Sequence, residues 1–212
     1  MLSRTALAGS PPSVSPPSIS PDDKLTLRRM MRTRRAALSS AQRHAASVAT
    51  AKRAMRLLRA SRRIAAYVPT GSELSTWPLM LHALHRGCEV YLPRVPRRGR
   101  RMSFVKWDAS SDWRLGAYAI PEPDHPEIVG ARSLDVVFVP LVAFDANLAR
   151  LGQGGGYYDA TFHFRRMRRH WHKPLLVGLA FDEQRADDLP VERWDLHLDL
   201  VITPSGIFRR PA

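Results

Sequence analysis

"LDVVFVPLVAFDANLARLGQGGGYYD", residues 134–159, decides how this chain folds. It opens as a near-continuous apolar run, passes through a polar turn at "DANLAR", and then places four glycines within residues 152–156. A short apolar run without polar alternation reads as a strand buried on both faces. The glycine-rich loop then leads into a helical stretch at Tyr157, so the segment reads as strand, loop and helix.

Five further short apolar runs surround it: "RIAAYVP" (63–69), "CEVYLP" (88–93), "MSFVKW" (102–107), "PLLVGLA" (174–180) and "LDLVIT" (198–203). Helical stretches over 76–86 and 157–170 separate some of them, and Gly87 stands where a helix C-terminal glycine belongs. Apolar strands alternating with helices predict an α/β fold: one three-layer α/β/α domain with a mostly parallel sheet. Residues 94–133 are less regular and predict an antiparallel excursion. No internal repeat is visible.

Residues 1–21 are rich in serine and proline and almost free of charge, which predicts a disordered tail ahead of a domain over 22–212. The tail lacks the continuous apolar core of a secretory signal, so the expected location is cytoplasmic. N-terminal helices should follow. Ser20, Pro21, Asp22 and Asp23 form a helix start, and Ser39 with Gln42 has the spacing of a capping box. No apolar run approaches the ~18 residues that span a bilayer. The single cysteine, Cys88, excludes an internal disulfide framework.

The formal charge of +14 is concentrated in "RRMMRTRR" (28–35), "RVPRRGRR" (94–101) and "RRMRR" (165–169). It suggests phosphate-rich partners, either nucleic acid or a small polyanion, or else a set of solvated basic faces. The clusters lack interleaved aromatics and no nucleic-acid motif is present, so nucleic acid is not the expected partner. His82, His85 and Cys88 are spaced three apart, and His170 and His172 flank Trp171. Such spacing is a weak zinc signal beside its ordinary meaning, a half-buried helix face.

In an open α/β sheet, ligands bind beyond the carboxyl ends of the strands. Two loops there carry unusual residues: "TGSELST" (70–76), which projects Glu73, and the glycine loop itself. The glycine loop is either a flexible turn or a phosphate cradle. In the second reading its backbone N–H groups and the following helix N-terminus face an oxyanion. Arg150 could then add a bidentate contact, and Asp159 could hold a divalent cation bridging the phosphates.

Taken together, "KLTLR" (24–28), "GSELST", "AYAIPEP" (117–123), the 134–159 segment, "GLAFDEQ" (178–184), "LPVERWD" (189–195) and "VITPS" (201–205) resemble the 5-formyltetrahydrofolate cyclo-ligase family, in family order over about residues 24–207. The resemblance implies a ligase that uses ATP and Mg²⁺ to turn 5-formyltetrahydrofolate into 5,10-methenyltetrahydrofolate, with ADP and phosphate released. It implies ATP contacts from Lys24, Arg28, Arg150, Leu151, Gly152, Gln153, Gly154, Gly155, Gly156, Tyr157 and Tyr158. It implies folate contacts from Val68, Glu73, Tyr118 and residues 153–157, metal ligation by Asp159 and Asp195, and catalytic roles for Arg150 and Asp159. The expected state is a monomer.

Two expectations are particular to this chain. Where the family usually has a glycine, this sequence has Leu148, which predicts a residue that avoids positive φ and a reshaped approach to the loop. Arg97, Arg98, Arg100 and Arg101 offer a landing surface for the folate's glutamate tail.

Overall fold

The structure, a computed structural model, describes residues 21–167 and 173–210. Residues 1–20 of the expected disordered tail, with the Ser20 cap, and Arg168, Arg169 and the His170–Trp171–His172 cluster lie outside the described residues, while Pro21, expected to end the tail, begins a helix. Helices α1 (Pro21–Ala36) and α2 (Ser40–Ala54) open the chain, followed by β1 (Arg63–Ala65), α3 (Trp77–His85), β2 (Glu89–Arg94) and β3 (Ser103–Trp107). The excursion contains β4 (Asp112–Leu115), β5 (Pro121–Asp124) and β6 (Ile128–Val129). Then come β7 (Val136–Pro140), β8 (Ala143–Phe144), β9 (Arg150–Leu151), α4 (Tyr157–Phe162), β10 (Leu175–Leu179), β11 (Leu200–Ile202) and β12 (Ile207–Arg209).

The main sheet has the order β12-β11-β10-β7-β1-β2-β3-β6. Its centre, from β11 through β10, β7 and β1 to β2, is parallel, while β12, β3 and β6 pair antiparallel at the two sides. Two small antiparallel pairs, β4–β5 and β8–β9, stand apart from it. The expected mixed α/β architecture with a mostly parallel sheet is present, and the antiparallel excursion falls within 94–133.

Strand periodicity produces the layers. Ile64, Val90, Val136, Phe138, Val177 and Ile202 pack with Ala51 and Ala54 of α2 and Leu79, Met80 and Ala83 of α3. Their neighbours Ala65, Tyr91, Val137, Val139, Leu176 and Val201 point the other way, onto Phe144, Leu148, Phe162 and Phe164. Both faces are covered, which is why the strands read as unbroken apolar runs. In α2 the buried residues Ser47, Thr50, Ala51 and Ala54 fall on one helical stripe, and the Ser39–Gln42 capping box closes its start. Gly87 (φ +73°) ends the α3 segment with its N–H on the Leu84 carbonyl.

Helix α1 belongs to neither large core. Its Leu27 and Met31 join a third cluster with Val142, Ala143, Ala149, Leu151 and Leu189.

Three expectations need correction. The run 63–69 is a strand only to Ala65, because Tyr67 turns inward, its phenol donating to the Leu74 carbonyl and its own carbonyl accepting from Thr76 Oγ1. The helix expected over 157–170 ends as an α-helix at Phe162 and continues as a 3₁₀ turn, His163–Met167. Leu148 does take positive φ, +57°. It does so because the Asp145 side chain builds the turn, its Oδ1 accepting from Asn147 and Ala149 N–H, and because Leu148 is 0% exposed in the core. Burial of a leucine offsets the ~1–2 kcal/mol of left-handed strain.

Candidate active site

The C-terminal ends of β1, β2 and β7 open into a cleft of about 870 Å³. Every residue that the family resemblance assigns to ATP, folate or metal lines it: Lys24 and Arg28 from α1, Val68 and Glu73 after β1, Tyr118, Arg150 to Asp159, and Asp195. Of the basic group at 97–101 only Arg100 reaches the cleft wall; Arg97, Arg98 and Arg101 are exposed outside its lining.

Arg150 arrives on β9, the returning strand of the hairpin that the Asp145–Leu148 turn closes. Its side chain is 4% exposed, and its guanidinium donates to Asp159 Oδ1 at 2.6 Å. The Leu196 N–H donates to that same oxygen at 3.0 Å, so Asp159 ties the glycine loop to the chain next to Asp195. Arg150 Nε is buried without a hydrogen-bond partner. A Cβ on Gly152 would lie 2.8 Å from the Arg150 guanidinium, so only glycine leaves that group its place.

The loop is fastened from α1 as well. Arg28 Nε donates to the Gly152 carbonyl (2.9 Å), and Arg32 donates to Gln153 Oε1 (2.6 Å). Gln153 passes the contact on, its Nε2 donating to Glu73 Oε1 at 2.7 Å. The side chain of Lys24, 12% exposed, lies 3.0 Å from both Glu192 and Asp195. Burial acts to lower the Lys24 pKa, but the hydrogen bonds and charges of Asp195 and Glu192 outweigh it and raise the value.

On the facing wall the phenols of Tyr118 and Tyr157 hydrogen bond at 2.6 Å. That bond, reinforced by lesser desolvation, raises the Tyr157 pKa. Burial raises the pKa of Tyr158, whose ring stacks on Phe162. Tyr118 is 73% exposed, and it and Ala119 both have positive φ (58° and 55°).

Sequence reasoning missed Glu192 and Trp194, although "LPVERWD" contains both, because only Asp195 matched a functional position. It also missed that Gln153 joins Glu73, since residues 80 apart in sequence carry no signal of contact. Helix α4 is only six residues long, too short to supply much of the helix-end charge expected from sequence. His82 is half-buried and His85 exposed, while Cys88 is buried with its thiol on the Arg59 carbonyl. Among the described residues no three His, Cys, Asp or Glu side chains gather as a metal centre. Asp159 and Asp195 supply hard carboxylate oxygens, a donor set that suits Mg²⁺ when substrate phosphates complete its shell.

The model of the 5-formyltetrahydrofolate cyclo-ligase family matches residues 20–204. The chain belongs to the 5-formyltetrahydrofolate cyclo-ligase family. The 5-formyltetrahydrofolate cyclo-ligase of Escherichia coli K12 is 34% identical over 186 residues, covering 84% of this chain and 99% of that protein. The cyclo-ligase of Saccharomyces cerevisiae is 34% identical over 164 residues, covering 69% and 77%. Among solved structures, the 5,10-methenyltetrahydrofolate synthetase of Aquifex aeolicus superposes with a TM-score of 0.73 at 29% identity, covering 89% of this chain and 93% of that one. Membership makes the chain a ligase, and no helix among the described residues is long and apolar enough to cross a membrane.

Proposed function

We propose that the chain converts 5-formyltetrahydrofolate to 5,10-methenyltetrahydrofolate, using ATP and Mg²⁺ and releasing ADP and phosphate. The observation that carries this reading is the pairing of buried Arg150 with half-buried Asp159 beside the glycine loop, in the same cleft as Glu73 and Tyr118. A phosphate-binding wall facing an aromatic, hydrogen-bonding wall suits an anionic nucleotide on one side and a folate on the other.

The chemistry explains the residue types. The N5-formyl group is amide-like, so its carbon is a poor electrophile and its oxygen a poor leaving group. The formyl oxygen attacks the γ-phosphorus, the bond to the ADP oxygen breaks, and an iminium-like phosphate results. N10 attacks the formyl carbon and closes the ring. Loss of phosphate, carrying away the N10 proton, leaves the methenyl cation.

Phosphoryl transfer of this kind depends on positioning and charge neutralisation. The N–H groups of 152–156, with Leu151, Tyr157 and Tyr158 around them, hold the phosphates. Arg150 and Arg28 neutralise charge there, and Lys24 orients Asp195. Mg²⁺, held by Asp159 and Asp195, would neutralise the charge that develops on the phosphate oxygens.

On the facing wall, the Glu73 carboxylate accepts from the pterin's N–H donors, fixed by Thr70 N–H and Gln153. Tyr118 and Tyr157 pack on the folate's rings beside Val68, and Arg100 faces the carboxylates of the tail. Purified protein incubated with 5-formyltetrahydrofolate, ATP and Mg²⁺ should develop the methenyl chromophore and one ADP per turnover. Well-folded protein that yields neither product would defeat the reading.

A further inference from the structure

The proposed nucleotide site accounts for the phosphates but leaves the base without a partner. Of the tyrosine and tryptophan side chains lining the cleft, most are already engaged. Tyr67 donates to the Leu74 carbonyl, Tyr158 stacks on Phe162, and Tyr118 pairs with Tyr157 on the folate wall. Trp194 differs. It is 53% exposed, it lines the cleft, and its described ring contact is Arg193, with the guanidinium 5.9 Å from the ring centroid.

The backbone that presents Trp194 is held firmly. Asp195 N–H donates to the Glu192 carbonyl (2.8 Å), and Asp195 Oδ2 accepts from Glu192 N–H (2.9 Å). Lys24 ties both acidic side chains together, and Leu196 N–H is fixed on Asp159. An indole is thus left half in water on a pinned turn, immediately before a carboxylate proposed to hold the metal at the phosphates. An exposed aromatic face beside a phosphate site matches the flat, apolar face of a purine, which any base-stacking platform must cover.

We propose that Trp194 is the platform for the nucleotide's purine base, stacking through its open face while Arg193 backs the other. The inference rests on the cleft being the nucleotide site, and it adds a specificity-determining residue to it. Trp194 grips the base and leaves the phosphates to the loop.

The test compares Trp194→Ala and Trp194→Phe with the unchanged protein, all with Mg²⁺ present. Trp194→Ala should weaken ADP binding and raise KM for ATP by roughly 5- to 150-fold, the worth of one base–aromatic stack. KM for 5-formyltetrahydrofolate and the affinity for inorganic tripolyphosphate, which has no base, should stay within about twofold. Trp194→Phe should recover most of the ADP affinity yet lose the tryptophan-fluorescence quench that ADP causes in the unchanged protein. Equal weakening of ADP and tripolyphosphate, or unchanged ADP affinity, would overturn the inference. A protein that turns over formyl-folate with ATP yet shows either result loses this platform alone; one without ATP-dependent turnover loses the underlying function too.

Discussion

On one side of the cleft, Lys24, Arg28, Arg150 and Asp159 are each held by a partner from a different segment of chain: Lys24 by Glu192 and Asp195, Arg28 by Gly152, Arg150 by Asp159, and Asp159 also by Leu196. On the other side Tyr118 stands on a left-handed turn between β4 and β5, mostly in solvent, its phenol bonded to that of Tyr157. The first wall is preorganised and the second is adjustable. On the proposed function, charge that appears on phosphate oxygens must meet dipoles already in place, because reorganising them during the reaction would return the benefit. A folate with several rotatable segments is better met by a wall that can settle against it.

Breaking the rigid wall should have the largest effect. Asp159→Asn keeps an acceptor for Leu196 N–H but removes the charge opposite Arg150 and a proposed metal ligand. Turnover should fall by ~10²–10³-fold or more while far-UV circular dichroism stays unchanged. Retention of activity within about tenfold would remove Asp159 from the mechanism.

The turn beneath that wall tests how its rigidity is achieved. Leu148→Gly relieves ~1–2 kcal/mol of left-handed strain but empties a buried leucine site whose truncation costs ~2–5 kcal/mol. Urea unfolding should therefore show a net loss of roughly 1–3 kcal/mol. A gain in stability would mean that strain, not packing, dominates there.

The adjustable wall should respond least. Tyr118→Phe removes one exposed hydrogen bond, worth ~0.5–1.5 kcal/mol, so KM for the folate should rise by about 2- to 10-fold with KM for ATP unchanged. Equal changes in both constants would mean that the two walls are not independent.

The rigid wall was also the more legible in sequence. Glycines, an arginine and an aspartate after a buried strand offered a candidate phosphate cradle through local chemistry, beside the plainer reading of a flexible turn, and the parallel core announced itself through residues such as Val136–Val139. On the adjustable wall the sequence offered Val68, Glu73 and Tyr118 through the family resemblance, but not the turn that carries Tyr118. Nothing in the local sequence marks the positive φ of the exposed Tyr118 and Ala119, or the fully exposed β4 strand. Leu148 misled for a related reason: a glycine rule based on local strain ignores the burial that can outweigh it. Glu192 went unread because its meaning depends on Lys24, almost 170 positions earlier in the chain, and Trp194 because its place in the cleft wall is set by the fold.

Neither large core contains a residue of helix α1, yet Lys24 and Arg28 reach the cleft from it and Arg32 holds Gln153. Proteolysis that trims α1 would take Lys24 and Arg28 out of the cleft wall and uncover the third cluster around Val142 and Leu151, while removing no residue from the two large cores.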